Sequence, residues 1–293
     1  MSRVAFIGLG NMGTPMAANL VGAGHDVAGF DLDAASRDRA AERGVKRATS
    51  AHEASAGAEV VVTMLPAGTH VLSVYRDVLA ALPAGTLLID SSTIDVASAR
   101  EAHELAETAG MLSIDAPVSG GVGGAEAGTL TFMAGGSAEA FAAAEPILAP
   151  MAGRVVHCGE AGAGQAAKIC NNMLLGISMI GTAEAFNLAD ALGLSRQALF
   201  DVASTSSGRC WSLDTYCPVP GPVPSSPANR DYRPGFAAAL MLKDLGLARE
   251  AAEAGGAATP LGHAAADLYA AFAEAGGADR DFSAIIEFLR ERR

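Results

Sequence analysis

The sequence predicts a two-part chain: an α/β domain with a doubly wound parallel sheet over residues 1–161, then an all-α domain over residues 162–293 that opens on a long helix. Three observations carry this. Short apolar runs alternate with Ala-rich helical stretches through the first 160 residues, the pattern of strands joined by crossover helices. A glycine-rich turn follows the first run directly. After Gly162-Ala163-Gly164 the strand-like runs stop and only helical patterns remain.

In order, strands are expected at residues 4–7, 26–30, 60–64, 87–89, 112–114, 130–134 and 154–157. Helices are expected between the early ones, at 13–24, 34–43, 68–81 and 96–109. Pro66 and Pro83-Ala84-Gly85 mark breaks. Residues 165–192 form 28 residues of helix-forming composition without proline, a rod of roughly 42 Å at 1.5 Å per residue. Its middle (Met173-Leu174-Leu175, Ile177, Met179-Ile180) is apolar on most sides, which calls for burial between domains or at a subunit interface. Helices at 196–203, 236–254, 260–275 and 282–290 complete the chain, with an irregular Pro-rich link at 217–235.

Half of the 293 residues are apolar and 18% are charged, enough to bury a core and to exclude wholesale disorder. The formal charge of −12 argues against a nucleic-acid partner, and an anionic ligand must find local positive charge. Of the 20 basic residues only Lys46, Lys168 and Lys243 are Lys, so a Lys in a motif merits notice. Cys158, Cys170, Cys210 and Cys217 show neither C-x-x-C nor zinc spacing, and the six His show no metal or triad spacing; no metal is expected, and reduced thiols point to the cytoplasm. No run reaches 18 apolar residues, so no membrane span is expected. The run at residues 4–7 is too short for a secretory leader.

Gly8-Leu9-Gly10-Asn11-Met12-Gly13 is G-x-G-x-x-G between an expected strand and an expected helix, the context a dinucleotide-binding Rossmann turn requires. Gly8 permits the tight turn, Gly10 lets a pyrophosphate approach, and Gly13 lets helix and strand pack closely. The helix N-terminus supplies the positive end that the net charge lacks. Asp31 ends the second strand, where a carboxylate accepts hydrogen bonds from an adenosine ribose and repels a 2′-phosphate, favouring NAD over NADP. Asp33 is the better cap for the following helix, which leaves Asp31 free.

Asp115-Ala116-Pro117-Val118-Ser119-Gly120-Gly121 reads either as a backbone nest for a small carboxylate or as a plain glycine loop, and composition favours the loop. Lys168 and Asn172 share one face of the long helix at i, i+4. A Lys among Ile169, Leu174 and Leu175 is either a desolvated acid/base or a side chain snorkelling to water. Lys243-Asp244 reads by itself as a solvated ion pair.

Taken together, Gly8–Gly13, the Asp115–Gly121 stretch, Gly164-Gln165-Ala166-Ala167-Lys168-Ile169-Cys170-Asn171-Asn172 and Lys243-Asp244-Leu245-Gly246-Leu247-Ala248 resemble the β-hydroxyacid dehydrogenases over nearly the whole chain. Ser206-Ser207-Gly208-Arg209-Cys210-Trp211-Ser212 and Pro218-Val219-Pro220-Gly221 resemble its 3-hydroxyisobutyrate branch. The resemblance implies NAD-dependent oxidation of 3-hydroxyisobutyrate to methylmalonate semialdehyde, in valine breakdown. It implies Lys168 as general acid/base, Asn172 orienting substrate, and Ser119, Gly120 and Gly121 on the substrate carboxylate. Leu65, Pro66, His70, Thr93 and Lys243 would lie along the cofactor, His70 standing where that family carries Asn. Trp211 and Phe236 are expected as apolar walls for the substrate methyl. The resemblance also implies a homodimer or homotetramer built through the helical domain. Tartronate semialdehyde reduction, another short β-hydroxyacid, or a non-catalytic NAD-binding protein are the alternatives.

Overall fold

The structure, a computed structural model, describes residues 1–291 and divides into two compact units, Met1–Lys168 and a second that begins at Ile169. The first unit runs β1 (Arg3–Ile7), α1 (Gly13–Gly22), β2 (Asp26–Phe30), α2 (Ala34–Glu42), β3 (Lys46–Arg47), α3 (Ala51–Ser55), β4 (Val60–Thr63) and α4 (Gly68–Val78). It continues with β5 (Leu87–Asp90), α5 (Val96–Thr108), β6 (Leu112–Asp115), β7 (Val118–Ser119), α6 (Gly121–Ala127), β8 (Leu130–Gly135), α7 (Ala138–Leu148) and β9 (Ala152–Gly159).

Among the described residues these strands form one sheet in the order β3-β2-β1-β4-β5-β6, continued by β8, which also pairs with β7 and β9. β2 and β4 flank β1 on opposite sides, both parallel to it, so the chain reverses its winding direction at β1. In such sheets ligands sit outside the carboxyl ends of the strands at that reversal. Alternate residues of β1 serve opposite faces. Val4 and Phe6 join a core with Met16 and Leu20 of α1 and Leu148 of α7. Ala5 and Ile7 join another with Ala54 of α3, Val71 and Tyr75 of α4 and Ala99 of α5. Covering on both faces explains why β4 is an unbroken Val60-Val61-Val62 run rather than an alternating one.

The sheet is Rossmann-like with one departure from an all-parallel expectation: β8 runs antiparallel to β6 and β7. β3 and β7 carry no strand signal because two residues are too few to show a period. α6 carries no helix signal because Gly121, Gly123 and Gly124 are poor helix formers. The caps are local and legible: Asp33 accepts from Ala35 and Ser36 N–H at the start of α2, Asp95 from Ser98 N–H at α5, and Ser137 from Ala140 N–H at α7.

α8 (Ala163–Leu192) is 30 residues long, and the division between the units falls inside it, after Lys168. Its first turn is pressed onto the sheet. A Cβ on Gly164 would lie 2.2 Å from the Met133 carbonyl oxygen and 2.6 Å from that of Asp115, so no other residue fits there.

The second unit adds α9 (Arg196–Ala203), α10 (Trp211–Asp214), α11 (Ala238–Gly255), α12 (Pro260–Phe272) and α13 (Ile285–Glu291). Its core gathers Met179 and Phe186 of α8, Met241 and Leu245 of α11, Tyr269 and Phe272 of α12, and Ile285 and Ile286 of α13. The Pro-rich link is held by Tyr232 Oη donating to the Pro218 carbonyl (2.8 Å) and Ser226 Oγ to that of Cys217 (2.6 Å). α11 starts two residues later than the pattern suggests because the Phe236 N–H is taken by Asp281 and Ala237 forms a bridge with it. Leu174 of the expected apolar middle of α8, and Leu188 and Leu192 beyond it, are exposed in the single chain. Among the described residues no helix is long and apolar enough to cross a membrane.

Candidate active site

The glycine turn assigns each glycine a different task. Gly8 has φ +97°, and a Cβ there would lie 2.2 Å from the Met64 carbonyl oxygen. A Cβ on Gly13 would lie 1.9 Å from the Gly8 carbonyl oxygen, whereas the space beside Gly10 is open. The N-cap of α1, Met12, makes no side-chain capping bond, and no acidic residue occupies the first turn. The N-terminal N–H groups and the positive end of the helix dipole are therefore left uncompensated by side chains. These features fit the pyrophosphate of a dinucleotide. Leu9 is buried, Met12 half-buried and Asn11 exposed.

Asp31 is not free, as the sequence suggested. Its Oδ2 accepts from the Leu9 N–H at 2.7 Å and its Oδ1 from the Asp33 N–H at 2.8 Å, which staples the glycine turn to the end of β2. A carboxylate oxygen can accept more than one hydrogen bond, so capacity for a ribose hydroxyl remains. Asp33 does cap α2.

Leu65 and Pro66 follow β4, and Thr93 follows β5, at the carboxyl end of the sheet. The two loops are tied together: the Leu65 N–H donates to Ser92 Oγ (2.8 Å), which donates to Asp90 Oδ1 (2.6 Å), as does Thr63 Oγ (2.7 Å). Burial pushes the Asp90 carboxyl above its ordinary range, against the hydrogen bonds from Ser92 and Thr63; the charge of Asp115 adds to the rise. His70 sits exposed in the first turn of α4.

Ser119 ends β7 and the chain turns there into α6. Gly120 (φ +134°) and Gly121 (φ +60°) adopt backbone that other residues rarely do, and Ser119 is half-buried.

Lys168 is 7% exposed and Ile169 is buried with it, but Leu174 is 63% exposed. Six residues along a helix is about one and two-thirds turns, so Leu174 points away from Lys168. Asn172 is buried, and both ends of its amide are engaged: Nδ2 donates to Asp244 Oδ2 (2.5 Å), and Oδ1 accepts from Asn171 Nδ2 (3.0 Å). Asp244, which the sequence alone read as half of a solvated pair, is 4% exposed; Lys243 Nζ stands 3.8 Å from its Oδ1. Trp211 is half exposed and stacks on Tyr216 at 4.9 Å, and Phe236 meets Phe282 edge-on at 5.7 Å. Tyr216 in turn contacts Phe282, so all four rings form one cluster.

Sequence reasoning missed three buried groups. Asp244 orients Asn172. Asp115 accepts the N–H of Gly162 on Oδ1 and that of Gln165 on Oδ2, both at 2.8 Å, and so caps α8. Gln165 reaches across to the loop after β5. Asp115 and Gln165 stand inside the motifs already singled out, but nothing in the spacing names their partners.

Residues 3–159 match a family described as the NAD binding domain of 6-phosphogluconate dehydrogenase. Residues 162–289 match one described as NAD-binding of NADP-dependent 3-hydroxyisobutyrate dehydrogenase. A probable 3-hydroxyisobutyrate dehydrogenase of Mycobacterium tuberculosis is 60% identical over 100% of this chain and 99% of its own length. An NAD-dependent L-serine dehydrogenase of Pseudomonas aeruginosa is 49% identical over 97% of each chain. The solved structure of a Mycobacterium tuberculosis 3-hydroxyisobutyrate dehydrogenase with L-serine superposes with a TM-score of 0.96 at 60% identity, over 99% of both chains. With the dinucleotide turn formed, and with relatives that span the whole chain, the protein belongs to the 3-hydroxyisobutyrate dehydrogenase family of NAD-dependent β-hydroxyacid dehydrogenases.

Proposed function

We propose that this chain oxidises 3-hydroxyisobutyrate to methylmalonate semialdehyde, a step of valine breakdown, with Lys168 as general acid/base. The observation that carries the reading is the buried Lys168, one helical turn from the buried and oriented amide of Asn172. In oxidation the substrate loses a hydride from its carbinol carbon and a proton from its hydroxyl, leaving an aldehyde. NAD, when bound, supplies the hydride acceptor. The neutral Lys168 amine takes the hydroxyl proton, and its ammonium returns it in the reverse direction. Asn172 orients the substrate, while Ser119, Gly120 and Gly121 hold its carboxylate. Trp211 and Phe236 face its methyl group.

Residues 1–161 form the NAD-binding domain in this reading and residues 162–293 the substrate and oligomerisation domain. Gly8 to Gly13 hold the pyrophosphate and Asp31 the adenosine ribose, with NAD preferred over NADP; Leu65, Pro66, His70, Thr93 and Lys243 lie along the rest of the cofactor. The working form is a cytoplasmic homodimer or homotetramer, which suits four free thiols and the exposed leucines of α8.

A second reading has a specific observation behind it: L-serine, also a β-hydroxyacid, appears in the names of two of the relatives. Serine carries an ammonium where 3-hydroxyisobutyrate carries a methyl. A panel assay of NAD reduction with both acids, and of NADH oxidation with tartronate semialdehyde, separates them. The larger kcat/KM is expected for 3-hydroxyisobutyrate. A larger value for L-serine establishes the second reading, and one for tartronate semialdehyde moves the chain to a different branch.

A further inference from the structure

We propose that Gln165 is a positioning residue for proton transfer: its side-chain amide ties the helix that carries Lys168 to the loop that carries Thr93. The proposal rests on the acid/base assignment of Lys168.

Gln165 is fully buried. Its Nε2 donates to the Ser92 carbonyl at 2.7 Å, and its Oε1 accepts from the Ile94 N–H at 3.1 Å. The amide thus grips the backbone on both sides of Thr93. Gln165 and Lys168 are three residues apart on one helix, so they are neighbours on one face. A shift of the grip moves the acid/base relative to the loop by the same amount.

The far end of the grip is equally fixed. Asp115, 2% exposed, holds the Gly162 and Gln165 N–H groups, and His103 Nε2 lies 2.9 Å from its Oδ1. Helix and strand touch backbone to backbone: a Cβ on Gly135 would lie 2.6 Å from the Gly164 nitrogen. The helix start cannot slide on the sheet, and Gln165 carries its side chain from there to the backbone on both sides of Thr93. The residue type follows from the task. One donor and one acceptor are needed on a single planar group; an ionised Glu supplies acceptors only, and Met and Leu supply no donor.

Holding reactants in register is worth much of an enzyme's rate, and a misplacement of about 1 Å costs on the order of 100-fold. A merely structural Gln165 would lower stability and NAD affinity together; a positioning one lowers the chemical step while the cofactor still binds. The test uses the full-length enzyme with Gln165→Met, which keeps length and loses both bonds, and Gln165→Glu, which keeps the acceptor for Ile94 and so guards against a failure to fold. Lys168→Ala is measured beside them.

The readouts are kcat, KM, NAD affinity and the isotope effect on kcat with substrate deuterated at the carbinol carbon. The expected result is a fall in kcat on the order of 10–100-fold for Gln165→Met and less for Gln165→Glu, with NAD affinity retained and a larger isotope effect because hydride transfer becomes limiting. A wild-type kcat and isotope effect in both variants overturns the proposal. So does a loss of NAD affinity that matches the loss of kcat. If Lys168→Ala stays active, the acid/base assignment itself falls, and the proposal with it, whatever the Gln165 variants do.

Discussion

In the role proposed for it, Lys168 must be neutral to take a proton and charged to give one, and this sets the first expectation at the residue scale. Oxidation should speed up as pH rises through the Lys168 ionisation, and aldehyde reduction should slow over the same range. Lys168→Arg keeps a cation but removes the exchangeable proton site, because guanidinium stays protonated. Loss of the general acid/base should lower kcat on the order of 10²–10⁴-fold in Lys168→Arg and Lys168→Ala, with NAD binding preserved in a fluorescence titration. A near-normal kcat in either variant means that the proton goes elsewhere. Asp31 carries the second expectation. Its two oxygens already hold Leu9 and Asp33, so Asp31→Asn keeps one acceptor for the turn while removing the charge proposed to repel a 2′-phosphate. The ratio of kcat/KM for NAD over NADP should fall, chiefly through a gain with NADP; an unchanged ratio means another group makes the choice.

At the scale of the element, α2 shows a cap whose worth depends on pH. The Ser36 hydroxyl and the Ser36 N–H, with help from the Ala35 N–H and Arg39, hold the Asp33 carboxyl below its ordinary value despite some desolvation. A carboxyl lowered in the folded state adds stability above its unfolded pKa, near 4, and that stability is lost as pH falls through the lowered folded value. Asp33→Ala should therefore melt below wild type at neutral pH, and the gap should close as pH drops below about 4. A gap that persists in acid means the cap does not act through its charge. This cap was legible in the sequence because Asp33 stands immediately before the expected helix at Ala34. So were the glycine turn, whose spacing states its own geometry, and the strands β1, β2 and β4, whose apolar runs are long enough to read. The buried network was not. Asp115 meets its partners at the entry to α8 47 and 50 residues on, Gln165 its loop partners 71 and 73 residues back, and Asn172 meets Asp244 at a separation of 72. Only the fold brings such groups together. Asp244 in particular looked like a surface charge until α11 placed it in the interior.

The whole molecule carries an unspent apolar surface. Leu174, Leu188 and Leu192 are 63%, 60% and 75% exposed, and they lie on one side of α8, since steps of fourteen and eighteen residues are close to four and five whole turns. Gly181 and Ala185, also exposed, fall between them on the same side, and small residues there let a partner helix approach closely. A stripe of this kind suits a self-complementary interface, in which each copy presents the same patch to the other. The net charge of −12 gives no help to such pairing, so apolar contact has to supply it. Leu188→Asp places a carboxylate on the stripe, where pairing would bury it facing a second negatively charged copy. The expected outcome is a shift toward the mass of one 29.5 kDa chain by light scattering, with NAD still bound, because the dinucleotide turn belongs to the first unit and the stripe to the second. Leu188→Ala, which only shortens the side chain, should shift the equilibrium less. Wild-type protein that is already monomeric at assay concentration, or a Leu188→Asp variant with unchanged mass, would show that this stripe is not where copies meet.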